Sequence, residues 1–330
     1  MTKTTAVRKP SAQSQFGEIM SKYLLGFITI AVALLFGVLN NSFFNGKNLL
    51  NILTSACVMG IAGVGITCIF AADELDFGAG TEVAAGACMM AWLLEQPWCN
   101  NYFIAIVLTL IVMVLIGLFN AFINIRIGIP AFIATMGSSY LIKGILKSMV
   151  GGSGIYASAA WPPYFTFLGQ GYLFGVIPMP TIILLICGLF MLFYTEKTRS
   201  GKYIYAAGVN PKACRYLGIN INIQKIKGFV ICAVLCGIGG IVMGSMLNGG
   251  IVTMGDSVFN QGLTALMLGA MFIKKGVFNV PGTLVGTLLI AIMNNGLTMI
   301  GAPAFAKDLV QGAILLASVC IVTAMKYKSK

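Results

Sequence analysis

Ten apolar runs, most near the length a helix needs to cross a bilayer, alternate with short polar segments along the chain. They lie near 23–40, 49–71, 79–96, 102–124, 130–149, 173–194, 228–247, 260–273, 280–300 and 308–325. The pattern predicts an all-α polytopic membrane protein of about ten transmembrane helices, some of them broken or short. The eighth run is the short one, so it is expected to be tilted or interrupted. One transmembrane unit over 23–325 is expected between polar tails at 1–22 and 326–330. No small-residue cleavage site follows the first run, which is therefore expected to be a retained span.

The main polar interruption is Lys197 to Lys227, which holds seven of the chain's 21 basic residues. It contains a short helix with its own punctuation: Asn210 as N-cap, Pro211 at the first helical position, Lys212 to Leu217 as body and Gly218 beyond the end. About two turns of helix are marginal alone in water. Such careful bracketing suggests docking against a partner, although a solvated basic loop would also account for the charges.

Composition agrees with the pattern: 58% hydrophobic residues, 9% charged and a mean hydropathy of +0.92 place the chain outside the soluble range. With the N-terminus inside, the inner side receives Lys3, Arg8, Lys9, Lys22, Arg126, the seven central bases, Lys274, Lys275, Lys326, Lys328 and Lys330. The outer side receives only Lys47, Lys143, Lys147 and Lys307. This bias predicts that both termini are cytoplasmic. It also accounts for the net charge of +12 without nucleic acid. The uncharged segment from Gly151 to Tyr172, rich in aromatics and proline, is expected to lie along the outer interface with membrane lipid.

A weak repeat is present. Leu115-Ile116, Phe119-Asn120 and Ile127-Gly128-Ile129-Pro130-Ala131-Phe132 recur as Leu289-Ile290, Met293-Asn294 and Ile300-Gly301-Ala302-Pro303-Ala304-Phe305. The first copy would run inward and the second outward, the signature of inverted repeats.

Four of the chain's nine acids fall together: Asp73, Glu74, Asp76 and Glu82, threaded through Gly78 and Gly80. Facing lipid, the first three would oppose insertion by roughly 8 to 10 kcal/mol. They therefore form a turn at the inner end of two spans, line an aqueous cavity, or hold a cation. Asn120, Asn294 and Asn295 stand in apolar runs, for helix-to-helix hydrogen bonds or for recognition of solute hydroxyls. Runs of small residues such as Gly237, Gly239, Gly240 and Gly244 point to close helix packing.

Other chemistry is excluded or unsupported. The chain has no His, so His-based catalysis and His-ligated metal are impossible. Its nine cysteines include no CxxC pair and read as small buried hydrophobes, and the methionines as gap-fillers. No phosphate-binding loop is present, and no nucleophile stands beside a base, so neither an enzyme nor any cofactor is expected.

These residues resemble the permease subunits of ribose, galactose, xylose and autoinducer-type ABC importers, from about Asn41 to Lys326. The most specific part is Thr198-Arg199-Ser200-Gly201-Lys202-Tyr203-Ile204-Tyr205-Ala206-Ala207-Gly208-Val209-Asn210, then Ala213 and Gly218-Ile219-Asn220. Further matching pieces are Asn48 to Leu53, Phe132 to Thr135, Gly282 to Gly286 and Asn294 to Leu297. The resemblance implies ten spans and a coupling helix in the 197–227 segment. Its contacts to the ATP-binding subunit would run through Gly201, Tyr203, Ala206, Gly208, Asn210, Ala213, Gly218 and Ile219. It also implies an extracytoplasmic solute-binding protein and a second permease subunit in a homodimer or heterodimer. The expected substrate is a monosaccharide or similar polyhydroxy solute, crossing the inner membrane along Asp76, Gly80, Asn120, Phe132, Asn294 and Asn295. The chain departs from the family pattern at Glu74 to Thr81 and at Gly269 to Gly276. A branched-chain amino acid or nucleoside permease is the alternative in the same class. From other classes, an ion-coupled transporter would use Asp73, Glu74 and Asp76 for its cation, and a membrane scaffold would transport nothing.

Overall fold

Within hydrocarbon only a helix satisfies its own backbone, so the apolar runs become helices. The computed structural model describes residues 12–99, 101–157, 161–272 and 276–328. The inner-face assignments of Lys3, Arg8, Lys9, Lys274, Lys275 and Lys330 lie outside them. Helices α1 (Ala12–Leu39), α2 (Gly46–Ala71), α3 (Ala79–Leu94), α4 (Tyr102–Phe122) and α5 (Ala131–Met149) form the first half. Next come α6 (Pro163–Gln170), α7 (Met179–Lys197), α8 (Arg199–Val209) and α9 (Pro211–Tyr216). The second half contains α10 (Ile221–Leu247), α11 (Met254–Phe272), α12 (Val280–Met299) and α13 (Ala304–Lys328).

A helix stands at each of the ten expected positions. Among the described residues six are long and apolar enough to cross a membrane by length and composition: α2, α4 with its continuation to Ile127, α7, α10, α12 and α13 as far as Ala324. The apolar parts of α1 and α3 are shorter. Helices α5 and α11 fall below that apolarity because they carry Lys143 and Lys147, and Asp256, Asn260 and Gln261, respectively. The eighth run is longer than expected and uninterrupted, because Met254 to Phe259 extend α11 at its polar start.

Three other boundaries differ from the sequence expectation. The segment 197–227 is mostly helical: α8 occupies its first part, and α10 begins at Ile221 rather than 228. Gly201, Ile204 and Ala207 recur at helical spacing and are buried, which gives α8 an inner face despite its basic residues. The outer 151–172 segment contains α6, held to α10 by Ser245. Its hydroxyl donates to the Phe165 carbonyl at 2.7 Å and accepts from the Gly169 amide at 2.8 Å. Short strands β1 (Gly154–Tyr156), β2 (Tyr172–Leu173), β3 (Ile177–Pro178) and β4 (Gly249–Ile251) complete this rim, β1 pairing with β4 and β2 with β3.

Helix α2 is central, with every residue from Ala56 to Ala71 buried. Lipid tails compete well with any apolar side chain, so helices gain from close approach and from hydrogen bonds between them. Both devices occur here. The Thr67 and Thr283 hydroxyls meet at 2.6 Å between α2 and α12. Between α3 and α10, Gly86 faces the Gly237 backbone, and Gly240 faces the Val83 carbonyl and the Gly86 Cα. A Cβ at Gly86 would lie 2.5 Å from the Gly237 carbonyl, so these helices touch backbone to backbone.

The two copies of the repeat share a corner. In each, a helix ends in a left-handed glycine, Gly128 at φ +82° or Gly301 at φ +73°. A proline two residues later precedes the next helix, Pro130 before α5 and Pro303 before α13.

The seam yields a test. Gly240→Ala is expected to lower the stability of the detergent-solubilised chain by about 1–3 kcal/mol through overpacking. Gly312→Ala in α13, where a Cβ meets nothing within 4 Å, should instead raise it by about 0.5–1 kcal/mol. Thermal melts followed by size exclusion would show the contrast, and equal midpoints would contradict the backbone contact.

Candidate functional site

A polar cluster lies in the interior where α3, α4 and α5 meet the turn after α2. That turn forms because Asp73 takes a positive φ of 60°, which ends α2 sharply. Asp76 is completely buried, and its Oδ1 accepts from the Gly78 amide at 2.8 Å, a local turn that leads into α3. The Phe77 amide donates to the Thr135 hydroxyl of α5 at 3.0 Å. One turn along α3, Glu82 is also completely buried. Its Oε1 accepts from Asn120 Nδ2 of α4 at 3.2 Å. Asn120 Oδ1 in turn accepts from the Ser138 hydroxyl of α5 at 2.6 Å. Two carboxylate oxygens, Asp76 Oδ2 and Glu82 Oε2, have no well-aligned hydrogen-bond partner.

The expected acid group is therefore divided. Glu74 pairs with Lys225 in the first turns of α10, whereas Asp76 and Glu82 turn inward. Asp73 and Glu74 thus stand in a turn at the end of α2, and Asp76 and Glu82 are enclosed in the protein interior. Gly80 sits where α3 meets α11: a Cβ there would be 2.8 Å from the Gly255 carbonyl and 3.0 Å from Phe259 Cβ.

The remaining candidates stand elsewhere. Asn295 exchanges two hydrogen bonds with Asn48 of α2, at 3.0 and 2.9 Å, in a separate cluster. Asn294 offers its carbonyl to the Thr298 hydroxyl at 2.7 Å. Phe132 is exposed on the first turn of α5. Glu82, one of the four grouped acids, joins the interior cluster, and so do Thr135 and Ser138, whose polar roles are not evident from sequence. The nearest signal is their spacing to Asp76 and Asn120 once the helices are placed.

A second constellation is the elbow made by α8 and α9. The Thr198 hydroxyl caps α8 at the Gly201 amide, 3.0 Å, and Asn210 Oδ1 caps α9 at the Ala213 amide, 2.9 Å. The Ile219 amide then returns to the Cys214 carbonyl at 2.9 Å around Gly218, whose φ is +74°. Ala206, Ala207, Cys214, Ile219 and Ile221 fill the inside of the elbow. Gly201 packs on the Tyr194 carbonyl, and Gly208 on the Ala71 carbonyl at the end of α2. Lys227 donates to the Ser200 hydroxyl at 2.8 Å, which ties α8 to α10.

Most of the expected coupling residues thus build the elbow, and Tyr203 is the large exposed side chain among them. The apolar residues presented outward are Val209, Tyr216 and Leu217, at 79%, 92% and 77% exposure. Their signal in the sequence is three large apolar residues in a strongly basic segment. Beside the elbow, a cleft of about 440 Å³ is lined by Glu196, Lys202, Tyr205, Asn279 and Pro281. Burial pushes the Tyr205 phenol above its ordinary value, so it stays neutral throughout the physiological range.

A family model described as the permease component of branched-chain amino acid transport systems matches residues 48–319, from the start of α2 into α13. The chain belongs to this family. It is a multi-pass membrane permease component, a transport subunit whose ATP hydrolysis takes place on a separate chain. The chain is 28% identical to the ribose import permease protein RbsC of Escherichia coli K12, covering 92% of this chain and 94% of that one. It is 28% identical to the autoinducer 2 import system permease protein LsrD of Klebsiella pneumoniae, over 88% and 87%. For the ribose import permease protein RbsC of Bacillus subtilis the identity is 26%, over 97% and 98%. No solved structure matches the chain.

Two substitutions test this geometry. Asn120→Ala would leave Glu82 Oε1 unpaired, while Ser138 keeps its bond to the Thr135 carbonyl at 3.1 Å, and about 1–3 kcal/mol of stability should be lost. Asn210→Ala removes one exposed cap and should cost about 1 kcal/mol. Denaturant or thermal melts in detergent would check both, and an Asn120→Ala chain as stable as the natural one would refute the network.

Proposed function

We propose that this permease imports a monosaccharide or a similar small polyhydroxy solute, with an ATP-binding subunit below and a solute-binding protein above. The observation that carries the coupling half of this reading is the apolar tip Val209, Tyr216 and Leu217 on a capped elbow. A rigid knob in a basic surround suits insertion into a cleft of a partner. The sugar half rests on the relatives, whose names specify ribose and autoinducer 2. The family description names branched-chain amino acids instead, which keeps that solute class as the second reading.

In this reading all ten helices at the expected positions span the membrane, and both termini are cytoplasmic. A second permease subunit, identical or homologous, packs on α5. That helix presents Gly137 and Gly144 seven residues apart, and a Cβ at either would meet nothing within 4 Å. Tyr140, Lys147 and Ser148 are exposed on the same helix. Such a mixed surface suits another helix better than lipid. The solute would pass near Asp76, Gly80, Asn120 and Phe132, while Asn294 and Asn295 contribute at the outer end. An ion-coupled mechanism is disfavoured because Glu74 is engaged by Lys225.

Replacing Tyr216 and Leu217 together with Ala removes exposed side chains only, so the permease should remain folded in the membrane. Recovery of the ATP-binding subunit on co-purification should drop at least tenfold, and uptake should fall with it. Undiminished recovery would remove the elbow as the docking point. In proteoliposomes of the natural complex, labelled pentoses and hexoses should enter when ATP is supplied. Uptake restricted to leucine-type amino acids would overturn the sugar assignment and leave the coupling reading intact.

A further inference from the structure

The seam between α3 and α10 does more than pack two helices. Because Gly86, Gly237 and Gly240 let the backbones touch, Glu82 on α3 is carried up to the face of α10 that holds Cys232 and Cys236. The two cysteines are four residues apart and therefore share one face. One carboxylate oxygen and both Sγ atoms lie within 4.8 Å of one another. All three residues are completely buried.

Two further observations point to a ligand. Glu82 Oε2 has no well-aligned hydrogen-bond partner, the Cys236 thiol beside the carboxylate being only a weak donor, and an ill-satisfied buried carboxylate oxygen is costly. No cation pairs with Glu82 among the described residues: Lys225 is engaged by Glu74, and Lys143 by Asp256 at 2.8 Å. The donor set is selective. Calcium and magnesium prefer oxygen throughout, whereas two sulfurs and a carboxylate suit a borderline-soft ion. Three protein donors also leave one corner of a tetrahedron open for water.

We propose that Glu82, Cys232 and Cys236 form a binding site for a thiophilic divalent cation, zinc in the first instance, that clamps α3 to α10. Asn120 is a positioning residue: its amide on Glu82 Oε1 aims the other oxygen at the thiols. Loading releases the thiol protons and leaves the metal's oxidation state unchanged. In the sequence the absence of His excludes only a His-ligated metal, and the cysteines read as packing residues. Residue 82 is some 150 positions from 232, so only the fold brings the donors together.

The test uses the full chain, purified in detergent under reducing conditions and stripped with a chelator. Cobalt is the spectroscopic probe, followed by competition with zinc. One equivalent of cobalt per chain should bring up thiolate-to-cobalt charge-transfer absorption, and zinc should abolish it. Cys232→Ser or Cys236→Ser should remove most of the band, and Cys68→Ser, elsewhere on α2, should leave it unchanged. Asn120→Ala should keep the band but weaken cobalt binding by about 10- to 100-fold. A natural chain without the band, or a band that persists in the double serine variant, overturns the proposal. Should a serine variant misfold, alkylation of the natural chain with and without zinc assigns the ligands by mass spectrometry. Protection confined to Cys232 and Cys236 supports the site, and protection elsewhere or nowhere overturns it.

Discussion

Backbone contact between α3 and α10 is the constraint on which the interior depends. In a bilayer, helices gain little by hiding apolar side chains from solvent, since the lipid is equally apolar. What remains is dispersion at short range, which falls off within an ångström, and polar contacts that lipid cannot supply. Glycine at positions 86, 237 and 240 allows the first. The second follows from it, because the same approach seats Glu82 against α10 and within reach of Asn120 on α4. Fixing α3 also fixes the turn before it, so Asp76 and Thr135 are placed by packing that occurs a helix away.

The elbow and the interior cluster are joined by a short contiguous route. Gly208, near the end of α8, rests on the carbonyl of Ala71, the last residue of α2. Directly after it come Asp73 in its left-handed conformation and Glu74 in its ion pair with Lys225. Asp76 follows. The elbow thus abuts the start of the 72–78 turn that carries the buried Asp76. The tight contacts at Gly201 and Gly208 leave the elbow little freedom to absorb a push, which favours rigid-body movement over local melting.

Parts of this were legible in the sequence because they are written locally. The caps of α9 need only Asn210, Pro211 and Gly218, and the structure places all three in those roles. The apolar runs locate ten helices for the same reason. Helix α8 was not evident, because basic residues and glycines mask an inner face of only Gly201, Ile204 and Ala207. The asparagines show a different limit. Asn120 and Asn295 look alike in sequence, yet one belongs to a carboxylate network and the other to a bond between α2 and α12. Nothing local separates them, since the difference lies in which helix stands opposite. The cysteines at 232 and 236 are the extreme case: apolar packing and ligation use the same residue until a distant carboxylate is placed beside them.

The outer surfaces of the first half also divide by chemistry. Helix α4 exposes Ile104, Val107, Ile111, Leu115 and Leu118, an aliphatic stripe at helical spacing that lipid solvates without loss. Helix α5 also exposes apolar side chains, Ile133, Met136, Tyr140, Leu141 and Ile145, but sets them around the bare Gly137 and Gly144 and continues to Lys147 and Ser148. A lysine near a helix end can snorkel toward water, but unoccupied glycines offer lipid chains a poor fit and offer another backbone a good one. The interior cluster contacts α5 from its other side through Thr135 and Ser138. A partner seated on α5 would therefore stand one helix away from Asp76 and Asn120. On the proposed arrangement the buried polar cluster would be separated from that partner by α5 alone, held to it by Thr135 and Ser138.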